Sequence, residues 1–307
     1  MNKKILFVDV DNSLVNMNTT FEFINMIVKK NYSVLYVPGI NERAMKKASS
    51  LRSDAIIFDL EDSVSSELKD RARTLVRKSL SEYDYGERLI VIRINRLDTP
   101  WGEDDIKSMV GIHIDALCVP KVESAEELEF VRSALEIEFK LKIPIWAMIE
   151  TPKGVLDIVD IASVRGLEAI VMGTTDLSHE LGLENRPGGK RSGLHYSLSQ
   201  CVLAAKSVGI KIFDGVFLDL TDIEGFKAEC EEAKDLGFDG KTLIHPSQVE
   251  IANDILGASI EDIERARRII LAWEEATAEG KAVAVVDDQL IESMHVEEAK
   301  RLVELHS

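Results

Sequence analysis

The sequence predicts an α/β fold: a TIM (β/α)₈ barrel with a C-terminal helical extension and a short extra N-terminal segment. Eight short apolar runs recur between residues 33 and 246, and charge-rich stretches with apolar residues at helical spacing separate them. Short continuous apolar runs are typical of buried parallel strands, and eight alternations of strand and helix favour a closed barrel. An open, doubly wound sheet is the main alternative, but no G-x-G-x-x-G motif follows the first run and the chain has no P-loop sequence.

Each predicted strand is an apolar run with polar residues at its end. Taken with those polar residues, the eight runs cover residues 33–39, 54–62, 88–95, 115–123, 145–152, 169–177, 210–217 and 239–246. Amphipathic helices are predicted between them at 41–51, 65–81, 124–135 and 225–236. Ser124 and Glu127 have the spacing of a capping box at the start of one of these helices. These elements predict a barrel domain over residues 32–257.

Two further segments flank the predicted barrel. Residues 258–307 are predicted to form the helical extension, with helices at 259–278 and 294–305. Within residues 1–31, an apolar run ends at Asp9 and Asp11 and resembles the opening motif of haloacid-dehalogenase-type phosphatases, whose two aspartates act as nucleophile and general acid/base. About 30 residues are too few to bury the core of such a domain. The segment is therefore predicted to be an added strand or a remnant, not a functional domain.

Charge and composition exclude several classes of partner. The chain carries 54 acidic and 37 basic residues, a formal charge of −17, which argues against a nucleic-acid or anionic-membrane surface. Its three cysteines, Cys118, Cys201 and Cys230, are scattered without C-x-x-C spacing and suggest neither a disulfide framework nor a zinc site. No apolar run approaches the length of a membrane span, and Asp9 and Asp11 interrupt the first run too early for a secretory signal. We expect a cytoplasmic protein.

Two of the predicted strands end at a carboxylate that could bind a metal ion. Glu150 and Asp176 follow consecutive runs and are 26 residues apart, about the length of one strand–helix unit. The carboxyl ends of barrel strands share one face, so both side chains could point at one hard cation. Oxygen ligands without neighbouring Cys or His favour Mg²⁺, which keeps several of its waters. The alternative is that each carboxylate caps the helix that follows it.

Other polar residues fall at the same predicted face. They are Asp59, Glu61, Asp62, Arg93, Asn95, Lys121, Glu123 and His245. Arg93 is suited to bind a substrate carboxylate through its guanidinium fork, and its alternative role is an ion pair with Glu61 or Asp62. For His245, a role in capping a helix or supporting another residue is favoured over metal ligation.

Seven motifs carry a resemblance to a known family. They are Leu35-Tyr-Val-Pro-Gly39, Phe58-Asp-Leu-Glu-Asp62, Arg93-Ile-Asn95, Pro120-Lys-Val-Glu123, Ile149-Glu150-Thr151, Asp176-Leu177 and Gly240-Lys-Thr-Leu-Ile-His-Pro-Ser-Gln248. With these motifs in this order, the chain resembles the citrate lyase β-subunit family of the HpcH/HpaI aldolase superfamily. The resemblance extends from about residue 33 to about residue 300. That superfamily includes the malyl-CoA and citramalyl-CoA lyases. The resemblance is specific for the family and much less specific for the substrate.

The resemblance implies a Mg²⁺-dependent lyase on a TIM barrel, usually a homotrimer. Such an enzyme cleaves or forms the bond between a 2-oxo acid and an acyl thioester, with coenzyme A or an acyl carrier as partner. The family's metal ligands fall on Glu150 and Asp176, and its substrate-carboxylate arginine falls on Arg93. Gly173 and Thr175 are expected to contact the substrate beside Asp176. Further expected roles are catalytic: Arg93, Glu61, Asp62 and Glu292.

Two positions depart from the family pattern. The family's acid/base aspartate, which reaches a neighbouring subunit, corresponds to Glu292, so one extra methylene moves the carboxyl group. Tyr32 stands where many relatives carry an arginine associated with thioester binding, which leaves Arg43 and Lys46 as possible phosphate contacts or solvated surface residues. Two alternatives therefore stay open. One is an aldolase on free 2-oxo acids without coenzyme A, and the other is a subunit that needs an acyl-carrier partner.

Overall fold

A computed structural model describes residues 33–183 and 191–304. These residues form two compact units, one ending at Gly257 and one beginning at Ala258. The predicted N-terminal segment, with Asp9 and Asp11, and the position of Tyr32 lie outside the described residues. Among the described helices, none has the length and apolar composition needed to cross a membrane.

The first unit is built on a closed barrel of eight parallel strands, which confirms the predicted TIM barrel. The strands are β1 Ser33–Pro38, β2 Ala55–Asp59, β3 Leu89–Arg93, β4 Ala116–Val119, β5 Ile145–Ile149, β6 Leu167–Met172, β7 Lys211–Asp214 and β8 Gly240–Leu243. Each strand pairs with its neighbour in sequence, and β1 pairs with β8 to close the ring. The open-sheet alternative is wrong, because an open sheet would leave β1 and β8 as unpaired edges.

Helices follow the strands around the barrel. They are α1 Glu42–Ala48, α2 Lys69–Glu82, α3 Gly102–Met109, α4 Ala125–Ser133, α5 Pro152–Leu156, α6 Ile158–Ala162, α7 Thr174–Glu180, α8 His195–Val208, α9 Ile223–Leu236 and α10 Ser247–Leu256. Ser124 caps α4 as predicted by accepting a hydrogen bond from the N–H of Glu127. The Glu127 carboxylate accepts from the N–H of Glu123 instead of Ser124, so the reciprocal half of the capping box is displaced by one residue.

Successive side chains along each strand point to opposite faces of the barrel sheet, and both faces are covered by apolar clusters. Side chains such as Ile57, Val91 and Phe213 form one buried cluster within the ring, where the Trp146 and Phe213 rings lie 5.0 Å apart. The residues between them pack in a second cluster with the apolar faces of the helices. The three cysteines are free and buried. Since both faces of every strand are covered, polar side chains are confined largely to the strand ends.

The second unit contains two long helices and a β-hairpin. Helix α11 spans Ile260–Ala278, strands β9 Ala284–Val286 and β10 Gln289–Ile291 pair antiparallel, and α12 spans Ser293–Glu304. Ser259 and Asp262 form a complete capping box at the start of α11. The predicted helices agree with α11 and α12, but the hairpin was not predicted. Its two-residue turn places Asp287 and Asp288 at φ +50° and +60°, where glycine or asparagine is more usual.

The carboxyl group of Glu168 provides a pH test of the barrel's stability. Burial, followed by the charge of Asp115, raises its pKa to about 7. The folded state therefore holds this proton more tightly than the unfolded state, and stability falls as the pH rises from about 4.5 to about 7. We expect Glu168→Gln to stabilise the protein by about 1 kcal/mol at pH 8, discounted for partial exposure, and to change nothing at pH 4. Urea denaturation at both pH values measures this, with the exposed Glu180→Gln as control. An equal effect of Glu168→Gln at both pH values would contradict it.

Candidate active site

A cavity of about 390 Å³ opens at the carboxyl ends of the barrel strands. Predicted site residues that line it are Asp59, Asp62, Arg93, Glu150, Gly173, Thr175 and Asp176. Apolar side chains from β5, β6 and the segments after β7 and β8 complete its wall, among them Met148, Met172 and Val216. Apolar walls with a few convergent charged groups are typical of sites for small molecules. The structure thus brings most of the predicted residues together in one place.

Glu150 and Asp176 are neighbours at the ends of β5 and β6. Glu150 follows β5 directly and is only 2% exposed, and Asp176 lies in the first turn of α7 after β6. The two carboxyl groups are close enough for Asp176 to raise the pKa of Glu150. Burial raises the pKa of Glu150 to about 8, although the Arg93 guanidinium lowers it, and the charges of Glu61 and Asp176 add to the rise. Two carboxylates this close repel each other when both are ionised, unless a cation lies beside them.

Gly173, which follows β6, leaves the space that the Glu150 side chain occupies. Its N–H donates to the carbonyl of Ile149 at 2.9 Å. A Cβ atom at position 173 would lie 2.3 Å from the Cβ of Glu150 and 2.5 Å from its Oε2. Any larger residue would therefore push the Glu150 carboxyl group out of place. Gly173 therefore has a steric role, and its role as a substrate contact stays a prediction.

Arg93 is held by Asp59, a pairing that the sequence analysis did not propose. The two residues lie opposite each other in the register of β2 and β3. Arg93 donates from Nε and Nη2 to the two oxygens of Asp59, each at 2.7 Å, and this fork lowers the pKa of the buried Asp59 carboxyl despite its burial. The remaining nitrogen, Nη1, lies 3.3 Å from Oε2 of Glu61 and 3.9 Å from Oδ2 of Asp62. Nη1 also donates to Sδ of Met148 at 3.6 Å. The expected ion pairs are thus present, and Arg93 lines the cavity, but its binding of a substrate carboxylate stays a prediction.

Tyr36 lies beneath Arg93 and was not among the predicted site residues. Its ring centroid is 5.0 Å from the guanidinium carbon, a cation–π contact, and its hydroxyl is buried without a hydrogen-bond partner among the described residues. Burial raises the pKa of Tyr36 well above its usual value. Tyr36 falls within the first of the seven family motifs, but as one aromatic residue in an apolar strand it was assigned no role.

A buried polar network supports the loop that carries Glu61 and Asp62. Lys69 donates to the carbonyls of Leu60 and Glu61 at 2.8 and 2.7 Å and to Oδ1 of Asn95 at 2.8 Å. Asn95 in turn donates to Asp105, which accepts from Arg73 at 2.8 Å. Asn95 therefore has a positioning role, and Lys69 and Asp105 are contributors that the sequence analysis missed. Their charges lie on helices α2 and α3, where a solvated surface is the ordinary expectation.

A second buried charge cluster lies at the ends of β7 and β8. The fully buried Lys241 donates to Oδ2 of Asp214 at 2.7 Å and to the carbonyl of Gly215 and Oε1 of Glu229, each at 2.6 Å. Arg191 donates to both oxygens of Asp214 at 2.7 and 2.8 Å. Lys241 occurs in one of the seven family motifs, but the sequence analysis assigned it no role.

Eight predicted residues are not among those that line this cavity. Three of them, Glu61, Asn95 and Lys121, line a second cavity that shares Asp62 with the first. Arg43 and Lys46 are exposed on α1, and neither is among the described residues that line the cavity. Glu123 pairs with Lys153 at 3.4 Å. His245 Nδ1 contacts the Ser247 hydroxyl at 2.8 Å and accepts from the Ser247 N–H at 3.2 Å, at the start of α10, which agrees with the expected capping role. Glu292 is exposed in the second unit, at the N-terminal end of α12.

The Glu150–Asp176 pair has the oxygen donors that a hard cation such as Mg²⁺ prefers. Among the described residues no cluster of three or more His, Cys, Asp or Glu side chains has metal-binding geometry. A cation at this pair would take its remaining ligands from water and substrate oxygens, which is how Mg²⁺ is usually bound. The proximity of the two carboxyl groups, and the raised pKa of Glu150, are the features that such a cation would compensate.

Comparison with known proteins identifies the family. A family profile described as HpcH/HpaI aldolase/citrate lyase matches residues 32–246. The chain belongs to this family. The seven motifs predicted this family. The chain is therefore an enzyme of a family that contains lyases and thioesterases related to coenzyme A chemistry.

Relatives within the family have two kinds of activity in their names. A (3S)-malyl-CoA thioesterase of Cereibacter sphaeroides is 46% identical over 269 residues, covering 88% of this chain and 92% of that protein. A citrate lyase subunit beta of Leuconostoc mesenteroides subsp. cremoris is 38% identical over 280 residues, covering 89% and 92%. The chain is similar to both over most of its length, so overall similarity does not separate carbon–carbon cleavage from thioester hydrolysis.

Solved structures in the family contain relevant ligands. CitE from Mycobacterium tuberculosis in complex with magnesium, acetoacetate and coenzyme A aligns with a TM-score of 0.74 and 27% identity, covering 91% of this chain and 98% of that chain. A citrate lyase beta subunit from the same organism, complexed with oxaloacetate and magnesium, aligns with a TM-score of 0.66 and 28% identity, covering 76% and 99%. The magnesium, acetoacetate, coenzyme A and oxaloacetate are bound to those relatives.

Proposed function

We propose that this protein is a Mg²⁺-dependent carbon–carbon lyase that cleaves, or in reverse forms, a 3-hydroxy-3-carboxyacyl thioester, giving a 2-oxo acid and an acyl thioester. The observation that carries the proposal is the convergence of Glu150, Asp176 and Arg93 on one cavity. Two carboxylates suit a hard cation, and a cationic nitrogen beside them suits the carboxylate of the substrate. Relatives complexed with magnesium and a 2-oxo acid support this assignment.

The chain's own residues would orient the substrate before the bond breaks. Arg93 Nη1 would donate to the substrate carboxylate, because Nε and Nη2 are engaged by Asp59. Glu150 and Asp176 would hold the magnesium ion. Bound there, Mg²⁺ supplies Lewis-acid polarisation of the substrate's hydroxyl and carboxylate oxygens. The apolar walls formed by Met148 and Met172 would limit water beside the reacting carbons.

Two proton transfers remain for carboxyl groups of the chain. Removing the proton from the substrate's hydroxyl breaks the bond to the α-carbon of the thioester and leaves an enolate, which then takes up a proton. Asp62 lines the cavity and is exposed enough to exchange protons with solvent, which supports an acid/base role. Glu292 is the candidate for the second transfer if it reaches a neighbouring subunit, as the resemblance implies for its position.

Hydrolysis of the same thioester is a second candidate function. The observation in its favour is the 46% identity to a protein named (3S)-malyl-CoA thioesterase. Hydrolysis would use the same contacts to the carboxylate and the cation, but a water would attack the thioester carbonyl and the carbon–carbon bond would stay intact. The products therefore distinguish the two functions.

Product analysis tests the proposal. The purified full-length protein is incubated with (3S)-malyl-CoA and Mg²⁺, and glyoxylate, acetyl-CoA, malate and free CoA are quantified. Glyoxylate and acetyl-CoA in equal amounts support the lyase, and malate with free CoA supports hydrolysis instead. If neither set appears, turnover of free 2-oxo acids with aldehydes, or activity only with an acyl carrier protein, would support one of the other two alternatives.

Binding measurements complete the test. Isothermal titration with oxaloacetate, glyoxylate and pyruvate, each with and without Mg²⁺, should show binding of at least one 2-oxo acid only when Mg²⁺ is present. Binding of a 2-oxo acid with the same affinity in the presence and absence of Mg²⁺ would contradict the role of Glu150 and Asp176 as metal ligands. The homotrimer, the thioester's carrier and the cytoplasmic location stay predictions, as does the division of the chain at residues 31 and 257.

A further inference from the structure

Four charged side chains form a compact group beside the cavity. Arg93 Nη1 lies 3.3 Å from Glu61 and 3.9 Å from Asp62, and Lys121 Nζ lies 3.2 Å from the other oxygen of Glu61 and 3.7 Å from the other oxygen of Asp62. Two cations thus share two anions. The group also borders a second cavity of about 350 Å³, lined by Glu61, Asp62 and Lys121.

The contact between Arg93 and Glu61 is incomplete. Oε2 of Glu61 is buried but accepts no hydrogen bond from the described residues, although Nη1 is within ion-pair distance. Oε1 of the same carboxylate does accept one, from Lys121 at 3.2 Å. Lys121 therefore makes the better contact with Glu61. Arg93 Nη1 forms ion pairs with both acids but donates a hydrogen bond to neither, and its contact with Sδ of Met148 is long, at 3.6 Å.

The backbone holds Lys121 in place independently of its side chain. Its φ is +51°, a conformation that residues with a Cβ rarely adopt. Its N–H donates to Oε1 of Glu150 at 2.8 Å, and its carbonyl accepts from Arg96 at 3.3 Å. The same residue thus contacts the predicted metal ligand through its backbone and the acid pair through its side chain. A substitution that keeps the Cβ would change the second contact alone.

We propose that Lys121 is a positioning residue that controls how tightly Arg93 binds the carboxylate of a small 2-oxo acid. Its ammonium neutralises Glu61 and Asp62, which leaves Arg93 Nη1 available to the substrate. Without that ammonium, both acids have Arg93 as their shared cation and compete with the substrate for Nη1. The inference rests on the proposed function, because it takes Arg93 as the group that binds the substrate carboxylate.

The test is the affinity for oxaloacetate in the presence of Mg²⁺, measured by isothermal titration. Lys121→Met keeps the Cβ and the length of the side chain but removes the charge, and it should raise the Kd on the order of tenfold, the effect of weakening one charge-assisted hydrogen bond. Lys121→Arg should bind nearly as well as the wild type. In steady-state assays the Lys121→Met defect should appear mainly in KM, with a smaller change in kcat.

A second substitution separates charge competition from structural damage. Glu61→Gln removes one competing charge, so the double variant Lys121→Met/Glu61→Gln should recover most of the lost affinity. Lys153→Met is the matched control, because Lys153 is 68% exposed and pairs with Glu123; its Kd should stay within about twofold of the wild type. An unchanged Kd in Lys121→Met, or a defect that Glu61→Gln does not relieve, would overturn the proposal while the proposed function stands. If the wild type binds none of oxaloacetate, glyoxylate and pyruvate in the presence of Mg²⁺, both the proposal and the proposed function are overturned.

Discussion

Glu150→Gln should abolish Mg²⁺-dependent turnover, with a loss of at least about 10³-fold, while the protein stays folded. The amide keeps the size of the side chain, and its oxygen can still accept the hydrogen bond that Lys121 N–H donates at 2.8 Å. It cannot supply the negative charge that a hard cation requires. Because Gln also removes a buried, ionisable group next to Asp176, the variant without Mg²⁺ should be at least as stable as the wild type.

Thermal unfolding with and without Mg²⁺ measures the metal site separately from catalysis. Mg²⁺ should raise the Tm of the wild type, since a ligand that binds only the folded state stabilises it, and should leave the Tm of Glu150→Gln unchanged. Glu123→Gln is the control, because Glu123 also follows a barrel strand but pairs with Lys153 away from the cavity. Retention of full activity, or of the Mg²⁺-dependent rise in Tm, in Glu150→Gln would contradict Glu150 as a metal ligand.

The sequence was sufficient to predict the barrel and many of the residues at the carboxyl ends of its strands, and one physical reason explains why. A parallel barrel strand is buried on both faces, so its apolar run ends where the chain reaches the rim. That rule placed Glu150, Asp176, Arg93 and Asp62 on one face without any knowledge of contacts between strands. The family profile confirms the resemblance, and the placement of these residues around one cavity agrees with it. Their roles in metal and substrate binding stay predictions.

What the sequence could not provide depends on partners brought together from different elements. Asp59 pairs with Arg93 because the register of β2 and β3 sets them side by side, and a list of strand ends does not contain that register. Lys69 and Asp105 lie on helices α2 and α3, and their side chains become buried only when those helices pack. The turn at Asp287 and Asp288 was missed because its two positive φ angles occur without the glycine that usually marks them.

Lys241→Met should destabilise the barrel by about 3 kcal/mol or more. Lys241 is fully buried, and it donates to Asp214, Glu229 and the carbonyl of Gly215, all within 2.7 Å. Burial lowers the pKa of Lys241, but the charges of Asp214 and Glu229 outweigh it, and the pKa is raised overall. Methionine fills a similar volume but leaves the buried Asp214 and the partly buried Glu229 to the remaining cation, Arg191. The uncompensated charge, and not a cavity, is the cause of the expected loss.

Urea denaturation at neutral pH measures the effect as a change in the free energy of unfolding. The matched control is Lys227→Met on α9, because Lys227 pairs with Glu224 at 2.8 Å on the surface and should contribute less than about 1 kcal/mol. Adding Glu229→Gln to Lys241→Met removes one of the stranded charges and should restore part of the stability, since the two sites share one contact. A loss in Lys241→Met no larger than in Lys227→Met would mean that Arg191 alone neutralises Asp214, and that the lysine is dispensable to the barrel.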